Sequence, residues 1–312
     1  MLVSIGNVCN FVCLATPTNL EKEEIRELND RHPFTHYMVC QIDRLRIKNE
    51  SIKHGDEVIE FTICQQRDEF NWHEHAFHMS RKSEGAILTL SVDGKSVVLE
   101  SSDGGKHCFE TVFLFLDMVG SAYGWHKAVE NLLMLDVQYI GKTEIKEGYL
   151  RFKGHEKINK VANEIIENRP NKEIVVKLLC FQKPFTNAMI VPEIDSDDER
   201  DDWYPGGGLI ENLPINDWKS SVEGALIKYF QPGYNVHYKD NYPSERHTSY
   251  TYLYENNIRS IFVELHEEYM AHTTGNENVP YTRIRMIQYP LSKDDSGVYL
   301  LDNANQEINI FA

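Results

Sequence analysis

The sequence has no uninterrupted apolar run of about 20 residues, the length that a helix needs to cross a bilayer. We therefore expect no membrane-spanning helix and no membrane partner. The segment Leu2–Ala15 is mildly apolar, but it lacks the basic residues that open a secretory signal, and the charged run Glu21–Glu24 follows it. A first strand or another buried segment of a cytoplasmic protein is the expected interpretation.

The chain also lacks closely paired cysteines. Its six cysteines are scattered, with no Cys-x-x-Cys, and nothing downstream of Cys9 and Cys13 completes a zinc site. We expect buried, reduced thiols rather than a metal centre or a disulfide framework.

A positive overall charge is missing as well. The net charge of −16 argues against a protein that coats nucleic acid non-specifically. The charge is uneven, however, because residues 139–183 contain ten Lys or Arg against six Asp or Glu. A local basic surface can therefore exist on an acidic protein.

The amino-terminal part of the sequence contains a region with strand-like patterns. From about residue 33 to residue 116, β-branched and alternating segments predict strands, and Asp93–Gly94 predicts a hairpin turn. Before it, residues 19–29 predict a helix with Thr18 and Glu21 as its capping box. Since 312 residues favour two units, we assign residues 1–118 to a β-rich recognition or assembly domain.

Helical and strand patterns alternate in the second unit, residues 119–312, which makes the predicted fold class α+β. Residues 109–120, at the boundary, are apolar and fit a strand or a helix. The predicted elements are helices at 125–134, 158–166 and 216–230, and strands at 137–140, 173–181, 258–265 and 281–289.

Four side chains in this unit suit hydrolysis of a phosphodiester. Glu223 can hold Mg²⁺, because that ion takes its other ligands from water and phosphate. Arg151 offers a planar fork for phosphate oxygens, and His155 can carry a proton near neutral pH. Tyr139 can position water or act as a base. Each also has a structural interpretation: packing for Tyr139, an ion pair for Arg151, a helix cap for His155 and a solvated helix contact for Glu223.

The order of these residues resembles the GIY-YIG nuclease superfamily over residues 131–240. The matching motifs are Tyr139–Gly141, Arg151 with His155, and the more specific Glu-x-x-Leu-Ile-x-Tyr-Phe-x-Pro-x-Tyr-Asn of residues 223–235. The resemblance implies a small antiparallel sheet flanked by helices and metal-dependent DNA cleavage. It predicts catalytic residues Tyr139, Arg151, His155 and Glu223, a Mg²⁺ or Mn²⁺ ion on Glu223, and substrate-binding residues Lys142, Tyr234 and Asn235.

One part of the family pattern is absent. The first motif, a strand with Gly-Ile-Tyr shortly before the second, is replaced by the segment 128–133. Its tyrosine is the usual general base, so Tyr139, Tyr123 or His155 takes that role, or the unit is an inactive relative.

Two functions are therefore expected. The first is an endonuclease acting on DNA rather than RNA, in bacterial anti-phage defence or restriction, as a homo-oligomer or with a partner protein of the defence system. The alternative is a non-catalytic interaction protein that keeps the nuclease-like fold as a scaffold.

A separate histidine cluster lies in the first unit. On a strand, His73 and His75 point to one side with ligand-like spacing, while His78 points to the other. A metal site and a polar strand face both fit this pattern.

Overall fold

The computed structural model describes residues 2–83, 85–143, 156–182, 184–189, 213–242, 250–256, 258–291, 299–301 and 307–309. The helices are α1 (Glu23–Arg31), α2 (Val112–Ala122), α3 (His126–Val129), α4 (Glu156–Asn168), α5 (Ile215–Phe230) and α6 (Thr251–Glu255). The strands are β1 (Leu2–Ala15), β2 (His36–Ile47), β3 (Lys53–His54), β4 (Val58–Gln66), β5 (Trp72–Ser80), β6 (Lys82–Ser83), β7 (Ala86–Asp93), β8 (Ser96–Ser101), β9 (Lys106–Phe109), β10 (Met134–Lys142), β11 (Lys172–Phe181), β12 (Phe185–Met189), β13 (Ile258–His266), β14 (Thr273–Gly275), β15 (Ile284–Pro290), β16 (Tyr299–Leu301) and β17 (Glu307–Asn309).

The predicted α+β class is confirmed. Most described strands form one mixed sheet in the order β14-β10-β2-β11-β1-β13-β15-β16-β17, while β6 to β9 form a second sheet. The first sheet is larger than the one the resemblance implied, and its β1–β13 and β10–β14 pairings are parallel. Since β2 lies between β10 and β11, the predicted units 1–118 and 119–312 share this sheet.

Two predicted helices have different bounds. Helix α1 begins at Glu23 rather than at residue 19, and its N-cap residue Lys22 makes no side-chain cap. The hydroxyl of Thr18 lies 2.9 Å from that of Thr16 instead of capping a helix, so the predicted capping box is wrong. The helix predicted to reach residue 134 ends at Val129, because β10 pairs with β2 and β14 from its first residues onward.

The boundary segment 109–120 is mainly helical. Helix α2 begins after Thr111, whose hydroxyl accepts a hydrogen bond from the backbone N–H of Leu114 at 3.2 Å. This is a regular N-cap, which satisfies one of the donors left free at a helix start.

The large sheet is covered on both faces. Along β2, Tyr37 and Val39 pack with α1 and α4, whereas Met38 and Cys40 pack with α2 and α5. This alternation follows from the two-residue repeat of a strand. We call the two sides the α4 face and the α5 face.

A buried network of charged groups lies on the α5 face. The ammonium of Lys177, on β11, pairs with Glu267 and donates to the Thr274 hydroxyl at 2.6 Å. The His272 ring lies 2.9 Å from the Asp117 carboxylate and 3.5 Å from that of Glu267. The connection from β13 to β14 passes over the four strands that lie between them in the sheet, β1, β11, β2 and β10. The network attaches this connection to the middle of the sheet.

Burial works against the charged forms of this network, and the pairing outweighs it. Burial raises the pKa of Glu267, but Lys177 and His272 bring that pKa below its ordinary value. Burial lowers the pKa of His272, but Asp117 and Glu267 bring it above its ordinary value. The folded state therefore favours two cations and two anions, each with an opposite charge beside it.

We predict that Lys177→Met destabilises the fold by about 3–5 kcal/mol, because it leaves Glu267 buried without its cation. Lys48→Met, which breaks the exposed pair with Glu74, serves as the control and changes stability by about 1 kcal/mol or less. Urea unfolding at pH 7 measures both.

The lowered pKa of Glu267 gives this prediction a pH dependence. Stability from such a group is present above the unfolded-state pKa and is lost as pH falls. The gap between wild type and Lys177→Met therefore narrows as pH drops below 4.5, the ordinary value for this carboxyl. A gap that stays constant down to pH 3 contradicts this account.

Candidate functional site

The outer edge of β10 is the centre of the candidate site. Strand β14 covers this edge only at residues 134–136. Beyond it, the backbone groups of Gln138, Ile140 and Lys142 point away from β2. These groups are bonded by the segment 223–235, which contains the more specific half of the predicted motif.

Three residues of that segment form hydrogen bonds with these backbone groups, in order along β10. The N–H of Tyr234 donates to the carbonyl of Gln138 at 3.1 Å. The Asn235 amide accepts from the N–H of Ile140 and donates to its carbonyl, both at 2.9 Å. The Glu223 carboxylate accepts from the backbone N–H of Lys142. The segment therefore replaces a neighbouring strand at an edge that would otherwise be open.

Asn235 is a positioning residue in this arrangement. Its side chain is only 8% exposed, and its amide binds the backbone of Ile140. Tyr234 is partly buried, and its ring packs against the core of the α4 face. The structure places both predicted substrate-binding residues along β10, where they hold Glu223 and the strand in register.

Glu223 is a shielded carboxylate beside a cation. Its side chain is 15% exposed, and its Oε2 atom lies 4.0 Å from the Nζ atom of Lys142. Lys142 also donates to the hydroxyl of Ser220, one turn earlier on α5. Burial raises the pKa of Glu223, and the nearby Lys142 and Lys157 offset this only in part. A further cation or the N–H groups of a ligand would therefore stabilise this carboxylate.

Other charged groups surround Lys142. The ammonium of Lys219 donates to the carbonyl of Thr143 at 3.1 Å, and burial lowers its pKa. Burial raises the pKa of Asp217, which Lys142 offsets in part. The site therefore combines three lysines, at 142, 157 and 219, with two carboxylates, and an anionic substrate fits the excess of positive charge.

The histidine next to this group is not a proton carrier. His36 donates from its Nε2 atom to the carbonyl of Lys219 at 2.9 Å and is fully buried. Burial lowers its pKa to about 3, so the ring is neutral at physiological pH. Its role here is to fix the start of β2 against α5.

A tyrosine on the strand beside β10 stands where the resemblance required one. Tyr37, on β2, is opposite Gly141 in the strand register. A Cβ atom on Gly141 would lie 2.5 Å from the Tyr37 hydroxyl, so only glycine leaves room for this phenol. The Tyr37 and Tyr139 rings are 6.1 Å apart on the α4 face. Tyr37, only 2% exposed, therefore contacts Gly141 from the α4 face, whereas Glu223 lies beside the next residue, Lys142, and comes from α5 on the other face.

The sequence pattern does not identify Tyr37, because the family pattern has its first motif directly before the second, which here begins at residue 139. The strand that carries Tyr37 was predicted, but its pairing with β10 brings together segments that are far apart in sequence. The signal was a tyrosine at the start of a predicted strand, and only the tertiary fold identifies its neighbour.

The structure does not bring all the predicted residues together on one face. Tyr139 is 9% exposed and packs on the α4 face, whereas Glu223 comes from α5 on the other face and reaches the strand edge. Arg151 and His155 lie outside the described residues.

The donors at this edge fit a hydrated Mg²⁺ ion held by one carboxylate. Within the described part of the chain, no three His, Cys, Asp or Glu residues are grouped as a metal site. Glu223 alone meets the need of Mg²⁺, which keeps several waters and takes oxygens from a phosphate. The strand that carries His73, His75 and His78 is largely exposed, and His75 binds Gln65 at 3.2 Å, as expected for a polar strand face.

Comparisons with known proteins add no relative. No protein-family model, curated protein or solved structure matches this chain significantly. None of the helices in the described ranges has the length and apolar character needed to span a membrane. The GIY-YIG resemblance therefore depends on the residues and geometry of this chain alone.

We predict that Asn235→Ala destabilises the protein, because it leaves the N–H and C=O of Ile140 buried without partners. Each lost partner costs about 1–3 kcal/mol. Asn168→Ala, at the exposed end of α4, is the control and stays within about 0.5 kcal/mol of wild type. Chemical denaturation measures stability, and hydrogen exchange at the Ile140 amide reports the edge directly. Unchanged exchange at Ile140 in Asn235→Ala would refute this role.

Proposed function

We propose that the protein is a divalent-metal-dependent endonuclease that hydrolyses phosphodiester bonds of DNA. The observation that carries the proposal is the shielded Glu223 carboxylate beside Lys142 at the end of β10, one residue after Gly141, which Tyr37 contacts from the other face. A phenol, a shielded carboxylate and an ammonium are the groups that this chemistry needs. As a setting, we propose a cytoplasmic enzyme of bacterial anti-phage defence or restriction.

Each residue of the site has a separate role in the proposed reaction. Lys142 and Lys157 bind the phosphate oxygens and neutralise their charge. Glu223, fixed by the Lys142 N–H, is the residue that holds Mg²⁺, and the bound ion supplies Lewis-acid stabilisation of the phosphoryl group. Tyr37 takes the role of the first-motif tyrosine and orients or deprotonates the attacking water. Tyr139 supports the Tyr37 ring.

Arg151 and His155 keep their predicted roles as part of this proposal. Arg151 is the bidentate phosphate ligand, and His155 donates to the phosphate or carries a proton. Their segment joins β10 to α4, and Lys157, near the start of α4, acts electrostatically on Glu223.

A second candidate function is the non-catalytic interaction protein. An open groove of about 770 Å³ runs along β3, β4 and β5 and is lined by Lys53, Phe61 and Phe77, among others. In the described ranges, β5 pairs with β4 alone, so its other edge is available to an added peptide strand. This groove contains none of the predicted nuclease residues.

The first prediction of the nuclease proposal concerns Glu223. Wild-type protein with Mg²⁺ or Mn²⁺ nicks or cuts plasmid DNA, and Glu223→Gln lowers the rate by about 10²-fold or more. Glutamine still accepts from the Lys142 N–H, and the raised pKa of Glu223 means that its ionisation does not favour folding at neutral pH. The melting temperature of Glu223→Gln therefore equals or exceeds that of wild type.

Glu255→Gln, on the exposed side of α6, is the matched control and keeps full activity. Because the pKa of Glu223 is raised, wild-type cleavage falls off on the acid side at a pH above that of an ordinary glutamate. Undiminished cleavage by Glu223→Gln would remove the proposed mechanism. Absence of DNA cleavage by wild type with either metal favours the interaction protein.

The second prediction separates the two tyrosines. Tyr37→Phe removes only the hydroxyl and lowers cleavage by about 10²–10⁴-fold, the usual contribution of a positioned acid or base. Tyr139→Phe keeps the ring that supports Tyr37 and loses far less activity. Gel-based cleavage rates at equal folded fraction measure both. A loss confined to Tyr139→Phe would assign the base to residue 139 instead.

A further inference from the structure

A polar cavity of about 270 Å³ lies beside the outer edge of β10, at the end away from Lys142. Three segments that are distant in sequence form it together with β10: the end of α4, the turn after α5 and the loop after β14. The polar residues that line it are Asp136, Gln138, Asn168, Arg169, Gln231, Tyr234, Asn276, Glu277 and Asn278.

Two exposed, oppositely charged side chains line this cavity beside the partly buried Asp136. Asp136 accepts from the Gln41 amide at 2.6 Å and from Gln138, so its carboxylate is engaged. The guanidinium of Arg169 acts electrostatically on this carboxylate, but the structure gives neither that guanidinium nor the carboxylate of Glu277 a hydrogen bond or close ion pair with a described residue. Opposite charges that line one cavity without pairing leave room for a ligand between them.

The lining restricts the chemistry of that ligand. Glu277 and Asp136 repel a phosphate or another anion, and an apolar ligand would leave Arg169 and Glu277 unsatisfied. The ligand must present acceptors to the guanidinium and donors to the carboxylate. Tyr234, whose ring packs on the core of the α4 face and is partly exposed, also lines the cavity and offers an aromatic group next to which a base can lie.

Guanine meets these requirements on one planar ring. Its O6 and N7 atoms are the acceptors that arginine binds in a bidentate manner, and its amino group is a donor for a carboxylate. Adenine presents an amino group where guanine has O6, so it places a donor against Arg169. The arrangement therefore discriminates between the two purines.

We propose that this cavity binds an unpaired guanine base, and that in the proposed nuclease it reads a base near the cleaved phosphate. Gln138 and Lys142 are four residues apart on β10, or about 13 Å at about 3.3 Å per residue. At about 3.4 Å per nucleotide of a stacked strand, this span corresponds to about four nucleotides. Placing the cavity on the substrate rests on the proposed function, whereas the base preference follows from the lining alone.

The test is calorimetric titration of the full-length chain with GMP, AMP and inorganic phosphate. We expect GMP to bind at least about tenfold more tightly than AMP, which is near the low end of the discrimination that one well-placed bidentate contact provides. We expect inorganic phosphate not to compete with GMP. Arg169→Met and Glu277→Gln each weaken GMP binding by about tenfold or more. Both residues are exposed, so the fold is retained. Lys160→Met, also exposed on α4 but outside the cavity lining, is the charge-matched control and leaves GMP binding unchanged.

A second variant tests the cavity by shape. A Cβ atom at Gly233 would meet nothing within 4 Å, so Gly233→Ala folds normally and Gly233→Leu has room to extend over the opening. Gly233→Leu weakens GMP binding, and Gly233→Ala does so less.

Equal binding of GMP and AMP, competition by inorganic phosphate, or unchanged GMP binding by Arg169→Met would each overturn the proposal. The readout is independent of cleavage. If the protein binds GMP but cuts no DNA, the guanine-binding proposal is supported and the nuclease proposal is refuted. If it cuts DNA but does not bind GMP, the nuclease proposal is supported and the guanine-binding proposal is refuted.

Discussion

The open edge of β10 is the constraint on which the rest of the site depends. A strand inside a folded domain must bond its outward N–H and C=O groups, and β14 is too short to do this beyond residue 136. The segment 223–235 takes over through Glu223, Tyr234 and Asn235. The same contacts place a carboxylate beside Lys142, so the stability of an edge and the assembly of a site have one physical cause.

Local patterns predicted most of the elements, because each depends on periodicity over a few residues. Strands β4, β7, β8, β11 and β13, helices α4 and α5, and a hairpin turn at Asp93–Gly94 were all expected. The turn is one residue later than predicted, because Asp93 pairs with Ser96 and the loop residues are Gly94, with a positive φ of 61°, and Lys95. The errors lie at helix ends. Thr18 bonds Thr16 rather than a helix N-terminus, and residues beyond Val129 lead into a strand.

The candidate site was only half predictable, because it depends on long-range pairing. The motif at residues 223–235 carried Glu223 and Asn235, which the structure does bring to β10. Tyr37 joins them because β2 pairs with β10, a strand that is distant in sequence. No local sequence pattern reveals this pairing. Lys177 gave a clearer signal, since a lysine within the apolar run Ile174–Leu179 requires a buried partner, but the sequence does not show that Glu267 is that partner.

The position of β1 has a consequence for how the chain reaches its native state. This first strand lies between β11 and β13, which belong to the middle and the last part of the sequence. During synthesis, one edge of β1 therefore lacks its partner strand β13 until the residues from Ile258 onward have been made. Sheets built from such distant pairings form slowly, and an unpaired strand edge is exposed to aggregation until its partner strand is available.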